Sequence, residues 1–226
     1  MHFARLLIGM TFASLLAGCG SHPPTPDSRK DIFLISAAAT HLDLRSLPAI
    51  DFPALAKFQK LREVQMGYGS GSDEKLSALA QLHLPNLQCV VVIDSPQVTD
   101  RGVEALAALP SLTSAGLRGT SMTDAGVEIL RKLPKLKGVT MDGSMKITFY
   151  GLLRMAQLET LEEWAFSAGN LSQTELLELI RATRNVKHLE ISEPTEERLD
   201  LPALRQAAQA KGMMLLKVHD NSVSDL

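Results

Sequence analysis

The chain repeats itself. The segment LQCVVVIDSPQVTDRGVEALAALP, beginning at Leu87, is followed by LTSAGLRGTSMTDAGVEILRKLP from Leu112 and by a looser copy, LKGVTMDGSMKITFYGLLRMAQ, from Leu136. Each unit opens Leu-x-x-apolar-x-apolar, passes a small hydroxyl residue and closes in an amphipathic run. The opening positions Leu61, Leu87, Leu112, Leu136, Leu161 and Val186 stand 26, 25, 24, 25 and 25 residues apart. A unit of that length cannot bury its apolar face alone, so a fixed period of this kind demands that neighbouring units stack into one continuous core.

Within each unit the first half alternates as a strand with one buried face does. The inward pairs are Val64/Met66, Val90/Val92, Ala115/Leu117, Val139/Met141, Trp164/Phe166 and Leu189/Ile191. A degraded early copy fits Ala39, Leu42 and Leu44, and a terminal one fits Met213, Leu216 and Val218. The second half switches to helical spacing: Leu76/Leu79/Leu82, Val103/Leu106/Leu109, Val127/Leu130/Leu133, Leu152/Met155/Leu158 and Leu176/Leu179/Ala182. Thr99-Asp100 and Thr123-Asp124 place a cap and a negative charge at helix starts, and Ser172-Gln173-Thr174-Glu175 has the form of a capping box. Pro85, Pro110 and Pro134 fall just beyond helices, and Lys211-Gly212 closes the last one. Ser95, Thr120 and Ser144 share the site after the strand, where a hydroxyl bonds turn backbone. Gly169 and Pro194 break that column.

On these residues, from about Ala39 to Val218, the chain resembles the leucine-rich-repeat family, in its bacterial Thr-Asp-Ala-Gly form. The resemblance implies an α/β solenoid with about eight parallel strands on the concave face and helices on the convex face, residues 31–38 forming an N-terminal cap. It speaks to the fold; function has to come from exposed surface.

The amino terminus carries a second resemblance. Arg5 supplies a short positive region, Leu6 to Ala17 is an apolar run, and Leu16-Ala17-Gly18-Cys19 resembles the lipobox of bacterial lipoproteins. The run is too short to cross about 30 Å of hydrocarbon comfortably. The resemblance implies cleavage after residue 18 and acylation of Cys19, anchoring the protein to a bilayer; several acyl chains make such anchoring stable where one is marginal. Gly20 after the cysteine points by the family's sorting rule to the outer membrane, facing the periplasm. The plainer alternative is an ordinary secretory signal. The expected organisation is therefore a signal peptide over 1–18, a lipidated, proline-rich tether over 19–30 and the repeat domain over 31–226. With Cys19 acylated, Cys89 is the one remaining thiol, so no intramolecular disulfide staples the fold.

The charge balance is −2 with both signs mixed along the chain, which gives no basic block for nucleic acid. On the strand register above, the residues between inward positions line the concave face. Val91 and Ile93 there predict an exposed apolar patch, and Arg118/Asp142, Glu163/His188 and Glu190/Lys217 predict lateral charge pairs. Catalytic patterns are set aside: Ser72-Asp73-Glu74-Lys75 lacks the companion motifs of Ser-x-x-Lys enzymes, and the Gly67-to-Ser72 loop lacks a phosphate loop's Gly-Lys-Ser/Thr ending. Glu163, His188, Glu190 and His219 share no recognised metal-ligand spacing, and no cofactor is expected. The expectation is a non-enzymatic, membrane-anchored module that binds another protein through Val91, Ile93, Arg118 and Asp142. The alternative is a structural or accessory subunit of an envelope or secretion assembly acting through its convex face.

Overall fold

A computed structural model of the protein describes residues 35–45, 51–67, 70–194 and 199–218. The expected signal peptide and tether, Cys19 and His219 lie outside the described residues, as do positions 31–34 of the expected cap. Eight strands form one sheet in sequential order, every neighbouring pair parallel. They are β1 (His41–Asp43), β2 (Glu63–Gly67), β3 (Cys89–Ile93), β4 (Ser114–Arg118), β5 (Gly138–Met141), β6 (Glu163–Gly169), β7 (His188–Pro194) and β8 (Leu215–Val218). Among the described residues, seven helices alternate with them: α1 (Phe52–Leu55), α2 (Asp73–Gln81), α3 (Asp100–Ala107), α4 (Asp124–Leu130), α5 (Phe149–Ala156), α6 (Gln173–Ala182) and α7 (Leu201–Ala210). This is a leucine-rich-repeat solenoid. Among the described residues no helix is long and apolar enough to cross a membrane.

The core is the stack of inward residues. Val64, Met66, Val90, Val92, Ala115, Leu117, Val139 and Trp164 have no exposed surface, and the six opening positions from Leu61 to Val186 are all buried. Their partners from the helical halves, including Leu76, Val103, Val127 and Leu176, close the other side of the same cluster. Burying each large apolar side chain is worth about 1.5–3 kcal/mol, and every rung supplies several. The last described rung is weaker, because Met213, Leu216 and Val218 are only half-buried.

The helix starts show why the Thr-Asp-x-Gly signature recurs. Thr99, Thr123 and Thr148 are N-caps, each accepting from a backbone N–H in the first turn of its helix. Each is also held by the aspartate of the preceding repeat. Thr99 donates its N–H and hydroxyl to the Asp73 carboxylate at 2.8 and 2.6 Å. Thr123 does the same to Asp100 at 2.8 and 2.7 Å, and Thr148 to Asp124 at 2.8 and 2.6 Å. The glycine three residues after each threonine leaves room for that carboxylate: a Cβ on Gly102, Gly126 or Gly151 would stand 2.6, 2.6 or 2.1 Å from an oxygen of Asp73, Asp100 or Asp124. In the fourth copy Phe149 takes the aspartate's place and the ladder stops. The next helix caps itself instead, through the Ser172/Glu175 capping box, and the Ser172 N–H and hydroxyl hold the Glu175 carboxyl below its usual range.

The hydroxyl column forms as the pattern predicts. Ser95 donates to the Ile93 carbonyl at 3.1 Å, and Thr120 and Ser144 both donate to the Leu117 carbonyl at 3.0 Å. Ser70 belongs to the column too, accepting from the Gly67 N–H at 3.1 Å. Toward the carboxyl end the strands run on, with Gly169 paired to Pro194, where the earlier repeats turn. Between strand and hydroxyl the chain turns through positive φ, at Gly119 (62°) and Gly143 (68°) and at Asp94 (49°), one of the few side chains that tolerates it.

Candidate functional site

The register places the concave side chains in columns across the sheet. One runs His41, Glu63, Cys89, Ser114, Gly138, Glu163, His188, Leu215; the next runs Asp43, Gln65, Val91, Gly116, Thr140, Ala165, Glu190, Lys217. A third includes Gly67, Ile93 and Arg118. Asp142 continues it, its carbonyl accepting from the Gly119 N–H at 2.7 Å. Of the four residues expected to contact a partner, Val91, Ile93 and Arg118 therefore lie on β3 and β4, and Asp142 follows directly on the end of β5.

Two parts of that expectation are corrected. Val91 and Ile93 sit on the concave face, outside the core cluster, but they are 8% and 9% exposed and do not form an open apolar patch. Val91 leans into the gap left by Gly116, where an added Cβ would meet its γ carbons at 3.1 and 3.3 Å, and Ile93 lies against Gly67 in the same way. Spacing alone could not show how far glycines on neighbouring strands let these side chains settle. Nor does Arg118 pair with Asp142: among the described residues no ion pair joins them. The Asp142 carboxylate accepts from the Ser192 hydroxyl at 3.0 Å, two strands away. Ser192 shares a 3.2 Å bond with Ser167, which accepts from the Gly143 N–H at 2.7 Å, so the strand tops of β5 to β7 are tied by one polar chain. Glu190 and Lys217 stand opposite each other in register, without an ion pair between them among the described residues.

The Glu163/His188 pair does form, at 3.7 Å between Oε1 and Nδ1, an ion-pair separation too long for a hydrogen bond. Burial pushes the Glu163 carboxyl above its usual range, and the His188 ring opposes that only in part. Its other oxygen, Oε2, is buried with no hydrogen-bond partner among the described residues. At the opposite end of the sheet His41 lies 3.9 Å from Glu63, which accepts from Gln65 at 2.6 Å. Arg45 grips Asp43 with two parallel bonds, at 2.9 and 2.5 Å. Along the edge before the strands, Glu162 is clamped between Lys187 at 2.6 Å and Lys137 at 2.9 Å, and hydrogen bonds from both, Lys187 first, hold its carboxyl below the usual range. None of this clamp was foreseen, although its members recur at the repeat period. Among the described residues no three ligand-type side chains cluster as a metal site would require.

No family model matches the chain, and neither does any curated protein. Solved structures similar in shape include an internalin from Listeria monocytogenes, at 14% identity over 82% of this chain and 51% of that one, with a TM-score of 0.47. The yeast Rad7 and Elc1 complex is similar at 14% identity over 86% and 67%, TM-score 0.48. Leiomodin-1 actin-binding site 2 is similar at 15% identity over 73% and 88%, TM-score 0.40. Likeness at this level is one of general shape.

Proposed function

We propose that the protein is a binding module that engages another protein through the concave face of its repeat arc. The observation that carries this reading is where the repeats differ from one another. The inward ladder and the Thr-Asp-x-Gly ladder recur from unit to unit, whereas the concave columns do not: His41, Glu63, Cys89, Ser114, Gly138 and Glu163 occupy one equivalent site. Positions that build the scaffold repeat, and positions that need not build it have diverged into a particular surface. A preformed sheet presents that surface with little ordering cost. Arg118 is the anchor proposed on it, half-buried and in no ion pair among the described residues, beside Val91 and Ile93 and one strand from Asp142. An arginine next to apolar groups is a common energetic centre of an interface.

We further propose the membrane setting that the lipobox resemblance implies: an acyl anchor at Cys19 holding the arc at the outer membrane, on its periplasmic side. A second reading, an assembly subunit that docks through its helical side, draws support from Tyr150, which is 73% exposed in the first turn of α5.

Crosslinking pull-down from intact envelopes tests both. Arg118→Glu should lose the partner while Lys132→Glu, an exposed change on the convex side, keeps it. Arg118 is a cleaner probe than Ile93, whose replacement by aspartate would bury a charge. Retention by Arg118→Glu with loss by Tyr150→Asp would replace the first reading with the second.

A further inference from the structure

Charges that are mixed along the chain are sorted in space. The helices end and the strands begin along one rim of the arc, and the described loops there are basic. Residues 56–62 carry three bases and no acid, residues 131–137 carry four and no acid, and residues 183–187 and 211–214 carry three between them. The loops 82–88 and 108–113 hold no Lys, Arg, Asp or Glu, and the acids on this rim are Glu159 and Glu162. On the opposite rim Asp73, Asp100 and Asp124 open their helices, and the bases of the described loops are Arg45 and Lys146. The basic rim is also level. The Arg62 N–H donates to the Thr40 carbonyl at 2.7 Å, and the same bond recurs at each repeat through Lys137 and Lys187 to Met214, whose N–H donates to the Lys187 carbonyl at 2.8 Å. From Arg62 to Met214 that row spans about 29 Å at about 4.8 Å per strand. Met214 is 74% exposed, next to Lys187 in the row and three residues from Lys211.

Helix ends do not account for these bases. The negative end of a helix favours a cation within its last turn, and Arg131 and Lys211 serve there as C-caps. Lys60, Lys135 and Lys187 lie four residues past their caps, and Arg62 and Lys137 further still. Ion pairs do not absorb them either. Glu162 takes Lys137 and Lys187, and Glu159 takes Arg184. Lys60, Arg62, Lys132 and Lys211 are exposed and in no ion pair among the described residues. Like charges gathered on one rim repel one another, and only an anionic partner offsets that.

We propose that this rim lies on an anionic phospholipid surface. Shape and chemistry choose a bilayer over other polyanions. A level row of loops meets a plane along its whole length. Among the described residues the rim offers no exposed Phe, Tyr or Trp on which a nucleic-acid base could stack, since Phe58 is buried. Bases around an exposed methionine suit the boundary between headgroups and acyl chains. Contact of this kind is reversible by itself, so it orients the arc instead of holding it at the membrane alone. Arg118, at the far end of β4, stays open to a partner when the rim is seated. The contact depends neither on that partner nor on the acyl anchor.

The full chain carrying Cys19→Ala is floated with vesicles of phosphatidylcholine, either alone or with about one-third phosphatidylglycerol, and the ratio of the two affinities is read. Residues 1–34 are otherwise the same in every variant and drop out of comparisons between variants. A base at an anionic surface changes affinity about five-fold, so the preference for anionic vesicles should exceed about ten-fold at low salt and shrink as salt screens it. Lys60→Glu with Lys211→Glu should cut that preference at least about ten-fold. Arg101→Glu with Lys146→Glu, the same charge change on the opposite rim, should leave it within about twofold. Met214→Ser should weaken binding to the anionic vesicles with the salt dependence unchanged. Equal losses from the two charge-reversed pairs would make net charge the cause and overturn the proposal, as would an unaltered chain that shows no preference. Heparin held through Lys60 and Lys211, with no preference between vesicles, overturns it in favour of a soluble polyanion. Every one of these results leaves the Arg118→Glu pull-down standing on its own.

Discussion

Gly151→Ala should destabilise the protein on its own and stabilise it once Asp124 is gone. A Cβ at position 151 would stand 2.1 Å from Asp124 Oδ1 and 2.7 Å from its Cγ, so the carboxylate has to leave. Leaving breaks both bonds from Thr148, at 2.8 and 2.6 Å. Hydrogen bonds to a charged acceptor contribute about 1.5–3 kcal/mol each when well sheltered. Thr148 is exposed and water replaces part of what is lost, so about 2 kcal/mol for the pair is the working figure. Against this, alanine in a helix gains about 0.8–1 kcal/mol over glycine. The net for Gly151→Ala is then about 1 kcal/mol of destabilisation, and for Asp124→Ala about 2. In the Asp124→Ala background the obstruction is gone. Gly151→Ala should then keep most of the helical gain, reduced by a 3.1 Å approach to Ile147 Cγ2. The assay is urea unfolding of the four proteins by circular dichroism, comparing midpoints at constant slope. Equal destabilisation by Gly151→Ala in both backgrounds would refute the idea that the glycine exists to admit the aspartate.

Leu117→Ala empties a side chain with no exposed surface and should cost about 2–5 kcal/mol, whereas Thr140→Ala, on the other face of the next strand, should stay within about 1 kcal/mol in the same unfolding assay. Burial raises the Glu163 carboxyl, so the native state holds its proton more tightly than the unfolded chain. Stability from this group is fullest below the usual glutamate range and falls as pH rises through its raised value. Glu163→Gln should therefore raise the unfolding midpoint at neutral pH and make no difference under acid; a lowered neutral midpoint would contradict this. Glu162 has the opposite sign: its lowered carboxyl stabilises above the usual range and loses that as pH falls, so Glu162→Gln should cost up to about 1 kcal/mol at neutral pH and less in high salt. Cys19→Ser should release the protein from membranes or leave it unprocessed, and unchanged partitioning into a detergent phase would rule out the lipid anchor.

Much of the fold could be read from one dimension because a solenoid's contacts are periodic. Each rung of Leu-x-x-apolar-x-apolar carries its own alternation, so Val90/Val92 and Ala115/Leu117 declare their buried face locally, and stacking only repeats that choice. The caps at Thr99, Thr123 and Ser172 were legible for the same reason, since they act within four residues. What the tertiary structure alone decided are the bonds between rungs. Asp100 and Asp124 read in sequence as helix-start charges, and Asp73 only as part of Ser72-Asp73-Glu74-Lys75; stacking at one repeat's distance is what turns all three into clamps on Thr99, Thr123 and Thr148. Asp142 looked like a partner for Arg118 by adjacency, and the real geometry sends it two strands over to Ser192. Val91 and Ile93 faced the side that alternation assigns them, but their burial depends on Gly116 and Gly67 in neighbouring repeats. Alternation along a strand says which way a side chain points. How much water reaches it depends on what lies beside and above it, and those neighbours come from residues that are distant along the chain.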